Sequence, residues 1–176
     1  GLEDGLLKLT GGITFYKSDV DFENVKINNT TAEDAINIIE SSFTFNSVFI
    51  DNTLSDGLDL DFSKGSILHS KLSNIGGDAL DFSGSKVTVQ NTKANNVKDK
   101  AISAGERSDV DINNSYFNKI GVGIASKDGS LVNISNTTIF DYKLYAAMTY
   151  LKKDFYGPPK MNMNNCFISD GTEFIR

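Results

Sequence analysis

The sequence predicts an all-β solenoid, a single-stranded right-handed parallel β-helix of about seven coils of ~22 residues. Three observations carry the prediction. The stretch Asp56-Gly57-Leu58-Asp59-Leu60-Asp61-Phe62-Ser63 is echoed 22 residues later by Asp78-Ala79-Leu80-Asp81-Phe82-Ser83. A column of apolar residues at Phe22, Phe45, Ile67, Val89, Ile112, Ile134 and Met163 advances in steps of 23, 22, 22, 23, 22 and 29. Two residues beyond each stands Asn24, Ser47, His69, Asn91, Asn114, Asn136 or Asn165, and asparagine tolerates the left-handed backbone of a sharp corner.

The elements follow in chain order. Residues 1–12 form a leader, read as an edge strand or an incomplete first coil. Each coil then opens on a first strand, such as Val20-Asp21-Phe22 or Val87-Thr88-Val89, and turns at its asparagine column. Side-chain amides stacked there can bond from coil to coil. A small-residue column comes next (Val25, Val48, Ser70, Thr92, Ser115, Thr137, Cys166), then a second apolar column at Ile27, Ile50, Leu72, Ala94, Phe117, Ile139 and Ile168. The third strand points Ile36, Leu58, Leu80, Ile102 and Ile124 inward, with Ile38, Leu60, Phe82 and Ala104 two places on. Three short strands per turn without helical periodicity give a triangular coil, and the crossover rule for parallel strands makes it right-handed. Residues 141–159 break the period as an aromatic and basic insertion loop.

Composition narrows the function. The 176 residues suffice for one domain with a real core, read as a single β-helix over 1–176 that is a piece of a longer protein. A net charge of −6 argues against nucleic acid, and no apolar run approaches the roughly 18 residues of a membrane span. One cysteine, Cys166, rules out an internal disulfide, and one histidine, His69, rules out a histidine metal cluster. His69 reads as a corner residue and Cys166 as a buried inert thiol. Asparagine–hydroxyl matches such as Asn136-Thr137-Thr138 are set aside as glycosylation acceptors because a ladder asparagine is expected to be buried.

Three groups of side chains are candidates for chemistry. Coil stacking sets Asp59 beside Asp81 and Asn37, with Asp61 nearby; oxygen ligands packed this closely suit Ca²⁺, and the alternative is a solvated acidic edge. Lys100, Arg107 and Lys127 lie further along the rod, where a basic side chain beside a metal could abstract the proton next to a uronic acid carboxylate. The alternative is an ordinary ion-paired surface. In the loop, Tyr142, Tyr145 and Tyr156 could stack on sugar rings, with Lys152 and Lys153 meeting a carboxylate or sulfate, or the loop could fold back to cover the solenoid.

With the coils laid out, the chain resembles the pectate-lyase-like superfamily of right-handed parallel β-helices, on the 22-residue period and on Asn24, Asn91, Asn114, Asn136 and Asn165. Gly77-Asp78-Ala79-Leu80-Asp81-Phe82-Ser83-Gly84-Ser85 and Asp99-Lys100-Ala101-Ile102-Ser103-Ala104-Gly105-Glu106 look like bacterial β-helix repeat domains of large surface or secreted proteins. The resemblance implies an extracellular or cell-surface setting. The chain has no Arg-x-Pro-x-x-Arg, no Asp-Pro-His, and Gly77-Asp78-Ala79 where a polygalacturonase has Gly-Asp-Asp. The expectation is therefore a non-catalytic module that binds an acidic polysaccharide or a protein partner beside the rest of its parent protein. A Ca²⁺-dependent polysaccharide lyase and a purely structural spacer are the alternatives.

Overall fold

The computed structural model describes residues 2–4 and 7–170 as a solenoid of three parallel sheets. The first sheet stacks seven strands in chain order: Val20–Glu23, Ser42–Asn46, Lys64–Leu68, Lys86–Gln90, Asp109–Asn113, Leu131–Ser135 and Lys160–Asn164. The second is built from Lys26–Thr30, Phe49–Thr53, Lys71–Ile75, the opening halves of Lys93–Gly105, Tyr116–Lys127 and Thr138–Tyr150, and Phe167–Ser169. The third comprises Gly11–Tyr16, Asp34–Ile39, Asp56–Asp61, Leu80–Ser83 and the closing halves of the same three long strands.

Register follows the spacing of the sequence. Phe22 pairs with Phe45, Phe45 with Ile67, Ile67 with Val89, Val89 with Ile112, Ile112 with Ile134, and Ile134 with Met163. The inward columns of the other sheets are in step too, as in Ile27 with Ile50 and Ile36 with Leu58. The columns fill the interior: Phe45, Phe82, Phe117, Leu58, Leu60 and Ile102 are fully buried. Each such side chain contributes about 1.5–3 kcal/mol of burial. Phe22 stacks on Phe45 with ring centroids 4.7 Å apart.

Left-handed residues make the corners. All seven members of the column from Asn24 to Asn165 have φ between 48° and 57°. A second such column, Asn29, Asn52, Asn74, Asn96, Lys119 and Asp141, turns the second sheet into the third. Inside the corner that leads back to the first sheet runs a ladder of buried serines. The Ser41 amide donates to Ser63 Oγ (3.1 Å), Ser63 to Ser85 (2.9 Å), Ser85 to Ser108 (3.0 Å) and Ser108 to Ser130 (3.1 Å). These bonds satisfy backbone donors that the tight corner removes from the sheets.

The asparagine ladder runs outside the coil rather than within it. His69 Nδ1 donates to Asn46 Oδ1 (3.1 Å) and its Nε2 accepts from Asn91 Nδ2 (3.0 Å), so His69 serves as a rung. Asn165 Nδ2 donates to Asn136 Oδ1 (2.6 Å), and Asn136 to Asn113 Oδ1 (3.0 Å). A left-handed corner turns its side chain away from the core, which leaves Asn136 exposed; burial is therefore no reason to set its glycosylation match aside. Cys166 is half-buried against the last turn of the core.

The break in period is narrower than residues 141–159. Thr138–Tyr150 is a single strand in register with Tyr116–Lys127, one extra residue being absorbed in a bulge between Tyr142 and Tyr145. The remaining extra residues lie between Tyr150 and Lys160, whose partners Lys127 and Leu131 are joined by a short turn. That loop carries the short 3₁₀ turn Asp154–Tyr156. Of the 1–12 leader, residues 1, 5 and 6 lie outside the described residues, while Leu2–Asp4 pairs antiparallel with Leu7–Leu9 and Gly11 opens the third sheet. No helix among the described residues is long and apolar enough to cross a membrane.

Candidate functional site

The third sheet gathers the acidic residues. Its outward column is Asn37, Asp59, Asp81, Ser103 and Ala125, one residue per coil and about 4.8 Å from rung to rung. Along one side run Asp34, Asp56, Asp78 and Lys100, the last three linked by backbone amides that donate to the carboxylate one coil before. The Asp78 amide donates to Asp56 Oδ1 and the Lys100 amide to Asp78 Oδ1, each at 2.8 Å. Along the other side lie Asp61, Ser83 and Gly105. Asn37 and Ser103 point away from the core and yet are only 1% and 0% exposed, so solvent does not reach them.

Burial and crowding raise the carboxyl pKa values. Asp59 is pushed up to about 9, first by burial and then by Asp61, Asp34, Asp81 and Asp56. Burial raises Asp34 to about 6 against a hydrogen bond from Thr10, and raises Asp78 to about 7 against the charge of Lys100. Asp56 and Asp61 are raised by burial as well. At neutral pH Asp59 is thus a protonated carboxyl, able to donate one hydrogen bond and accept others.

The four metal candidates, Asn37, Asp59, Asp61 and Asp81, do come together, but as a hydrogen-bonded group. Asn37 Nδ2 donates to Asp59 Oδ2 (3.1 Å) and to Asp61 Oδ2 (3.4 Å), so an N–H occupies the place a shared cation would take. Among the described residues no group of three or more His, Cys, Asp or Glu is placed to hold a metal ion. Ca²⁺, with its need for six to eight converging oxygens, does not fit this arrangement.

The three basic candidates are not brought together. The Lys100 ammonium is bound by Asp99 (2.7 Å) and Asp78 (3.2 Å). Burial lowers its pKa, but the bond to Asp99 and the two nearby charges outweigh burial and hold it above the ordinary value, the reverse of what a general base needs. Lys127 lies one coil beyond Lys100 on the opposite flank of the strip, its Cε 3.3 Å from the point a Cβ on Gly105 would reach. Arg107 lies over the Tyr156 ring, 5.6 Å from its centroid.

The loop candidates divide. Asp128, 2% exposed, accepts from the backbone amides of Lys152 and Lys153, both at 2.7 Å. Lys153 pairs with Glu106, and Tyr156 Oη donates to Glu106 Oε2 (3.2 Å). Gly129, at φ 72°, leaves room for the Tyr156 carbonyl, which a Cβ there would meet at 2.4 Å. Tyr142 packs against the core. Tyr145 remains 56% exposed, and Lys152 is exposed as well. So Lys153, Tyr156 and Tyr142 hold the loop and the wall, and Tyr145 and Lys152 face outward.

Asp78, expected near the cluster from the spacing, and Asp34, which was not expected there, both belong to the acidic site. Their signal is the same 22-residue step that links them through Asp56. Among the described residues, four buried side-chain atoms of this sheet have no hydrogen-bond partner: Asp34 Oδ2, Asn37 Oδ1, Asp81 Oδ1 and Ser103 Oγ.

The family model described as a right-handed β-helix region matches residues 11–155. No curated protein matches the chain. With the model spanning most of the chain, and parallel sheets in the register described above, the protein belongs to the right-handed β-helix family.

Proposed function

We propose that the chain is a non-catalytic β-helix module of a bacterial extracellular or surface protein, and that the strip on its third sheet binds polysaccharide through sugar hydroxyls. The partly exposed carboxyls Asp59, Asp61 and Asp81, set side by side on adjoining coils, carry this reading. A glycan lying along the rod would bring its hydroxyls to them as donors and acceptors from one coil to the next. Asp59, protonated at neutral pH, offers a donor as well. The setting outside the cell is supported by the resemblance to repeat domains of secreted proteins.

The strip is read as a binding surface rather than a lyase centre because Lys100 is held as a cation by two aspartates. Affinity electrophoresis through gels containing neutral glycans tests the proposal. Retardation is expected with at least one glycan, and Asp61→Ala with Asp81→Ala should weaken it about tenfold with the β-sheet circular dichroism unchanged. No retardation across a broad panel would overturn the binding reading, and an ultraviolet-absorbing unsaturated product from a uronic polymer would overturn the non-catalytic one.

A further inference from the structure

The charge of this acidic protein is unevenly placed. On the outer side of the second sheet, the residues just before the apolar column form a row of their own: Lys26 pairs with Phe49, Phe49 with Lys71, Lys71 with Lys93, and Lys93 with Tyr116. All five are exposed, and Phe49 and Tyr116 are aromatic surfaces of 36% and 38% exposure. None of the three lysines forms an ion pair among the described residues. Lys26 Nζ lies 6.0 Å from the centroid of the Phe49 ring.

The neighbouring row is polar and nearly uncharged: Asn28, Asp51, Ser73, Asn95 and Asn118. Its one acid, Asp51, accepts a hydrogen bond from Asn74 Nδ2 (2.7 Å). Asn118 donates to Asn95 Oδ1 (3.0 Å), and its own buried Oδ1 has no partner. Between the rows runs a groove of roughly 570 Å³ whose walls include Lys26, Phe49, Asp51, Lys71, Ser73 and Asn95. Three cations against one engaged aspartate make this face positive in a chain of net charge −6.

We propose that this face of the second sheet binds an anionic polysaccharide, its carboxylate or sulfate groups meeting Lys26, Lys71 and Lys93 and its sugar faces stacking on Phe49 and Tyr116. Spacing supports this occupant. Coils repeat at about 4.8 Å, comparable to the advance of one sugar in an extended polymer, and the Phe49 and Tyr116 columns are three coils, about 14 Å, apart. An exposed aromatic ring gives a flat apolar platform with little rotamer freedom to lose, while the amides of Asn95 and Asn118 are sized for ring hydroxyls. Lysine heads on flexible stems suit point-charge recognition along a polymer whose charges are not rigidly placed. The face is separate from the acidic strip of the third sheet, so either proposal can fail alone.

The test is affinity electrophoresis of the full chain through gels containing alginate, carboxyl-reduced alginate, heparin or single-stranded DNA. Retardation by alginate but not by its carboxyl-reduced form is expected, and retardation by heparin would extend the ligand to sulfated sugars. The variant Lys71→Glu/Lys93→Glu should weaken retention about tenfold or more, and Phe49→Ala/Tyr116→Ala should weaken it as well. The charge-matched variant Lys64→Glu/Lys86→Glu, on the first sheet, should leave it unchanged. These side chains are exposed, so equal melting temperatures would show that the variants fold. Full retention by the double-lysine variant, equal retention on carboxyl-reduced alginate, or DNA retarding as strongly as either glycan would overturn the proposal.

Discussion

Asp59 shows how a surface position acquires an interior residue's properties. It stands on the outward side of its strand, yet its flanks and its acidic neighbours Asp34, Asp56, Asp61 and Asp81 keep its proton in place up to about pH 9. In the unfolded chain the same carboxyl loses its proton near pH 4, so between those values the folded state binds more protons and stability falls as pH rises. Asp34 and Asp78 act in the same direction over narrower windows, ending at about 6 and about 7. The melting temperature should therefore be higher at about pH 5 than at about pH 8, with Asp59→Asn raising the value at the higher pH and flattening the slope. A melting temperature that is level over this range, or that rises with pH, would contradict the account. The proximity of Asp59 to Asp81 was legible from the 22-residue period, because a period fixes neighbours across coils. Their chemistry was not: the same aspartates with solvent around them would be ordinary carboxylates, and only the burial of Asn37 and Ser103 shows otherwise.

At the scale of the element, the loop between Tyr150 and Lys160 depends on one buried side chain. Asp128 holds two consecutive backbone amides, Lys152 and Lys153, and Glu106 collects the side chains of Lys153 and Tyr156. Asp128→Ala removes a charged acceptor from two donors, so a loss of about 2–3 kcal/mol is expected. The same change should speed amide hydrogen exchange at residues 151–157 while the sheets keep their protection. Uniform acceleration over the chain would mean that Asp128 supports the coil rather than the loop. Sequence spacing located the insertion but overstated its length, because Tyr142, Tyr145 and Met148 read as an aromatic loop when they are the continuation of a strand. Aromatic composition does not separate a strand from a loop; the pairing of Ile124 with Ala147 does, and alanine is too common to announce it. The lysine and aromatic row on the second sheet was equally present in the spacing, one place before Ile27, Leu72 and Ala94, but its meaning depends on which neighbours leave those lysines unpaired.

For the whole molecule, each coil rests only on its neighbours, so stability varies along the rod. Phe117 is fully buried in mid-solenoid, while Phe167, in the last described strand, is 60% exposed. Phe117→Ala should destabilise by about 3–5 kcal/mol and Phe167→Ala by less than about 1 kcal/mol, measured by denaturant unfolding. Similar losses at both positions would mean that the final strand is covered in solution. The fold class, the register of all three sheets and most of the core were readable because a solenoid repeats one local solution, and each repetition is an independent vote for the pattern. The serine ladder was readable in principle, from Ser41, Ser63, Ser85, Ser108 and Ser130 at steps of 22, 22, 23 and 22. The loop teaches a different lesson. After it the chain returns to register, Lys160 beside Leu131 and Met163 beside Ile134, as if nothing had been added. Length at that corner is therefore decoupled from pitch, which makes 151–159 a natural grafting point: a guest peptide spliced there would ride on the rod at a fixed address without asking any other coil to move.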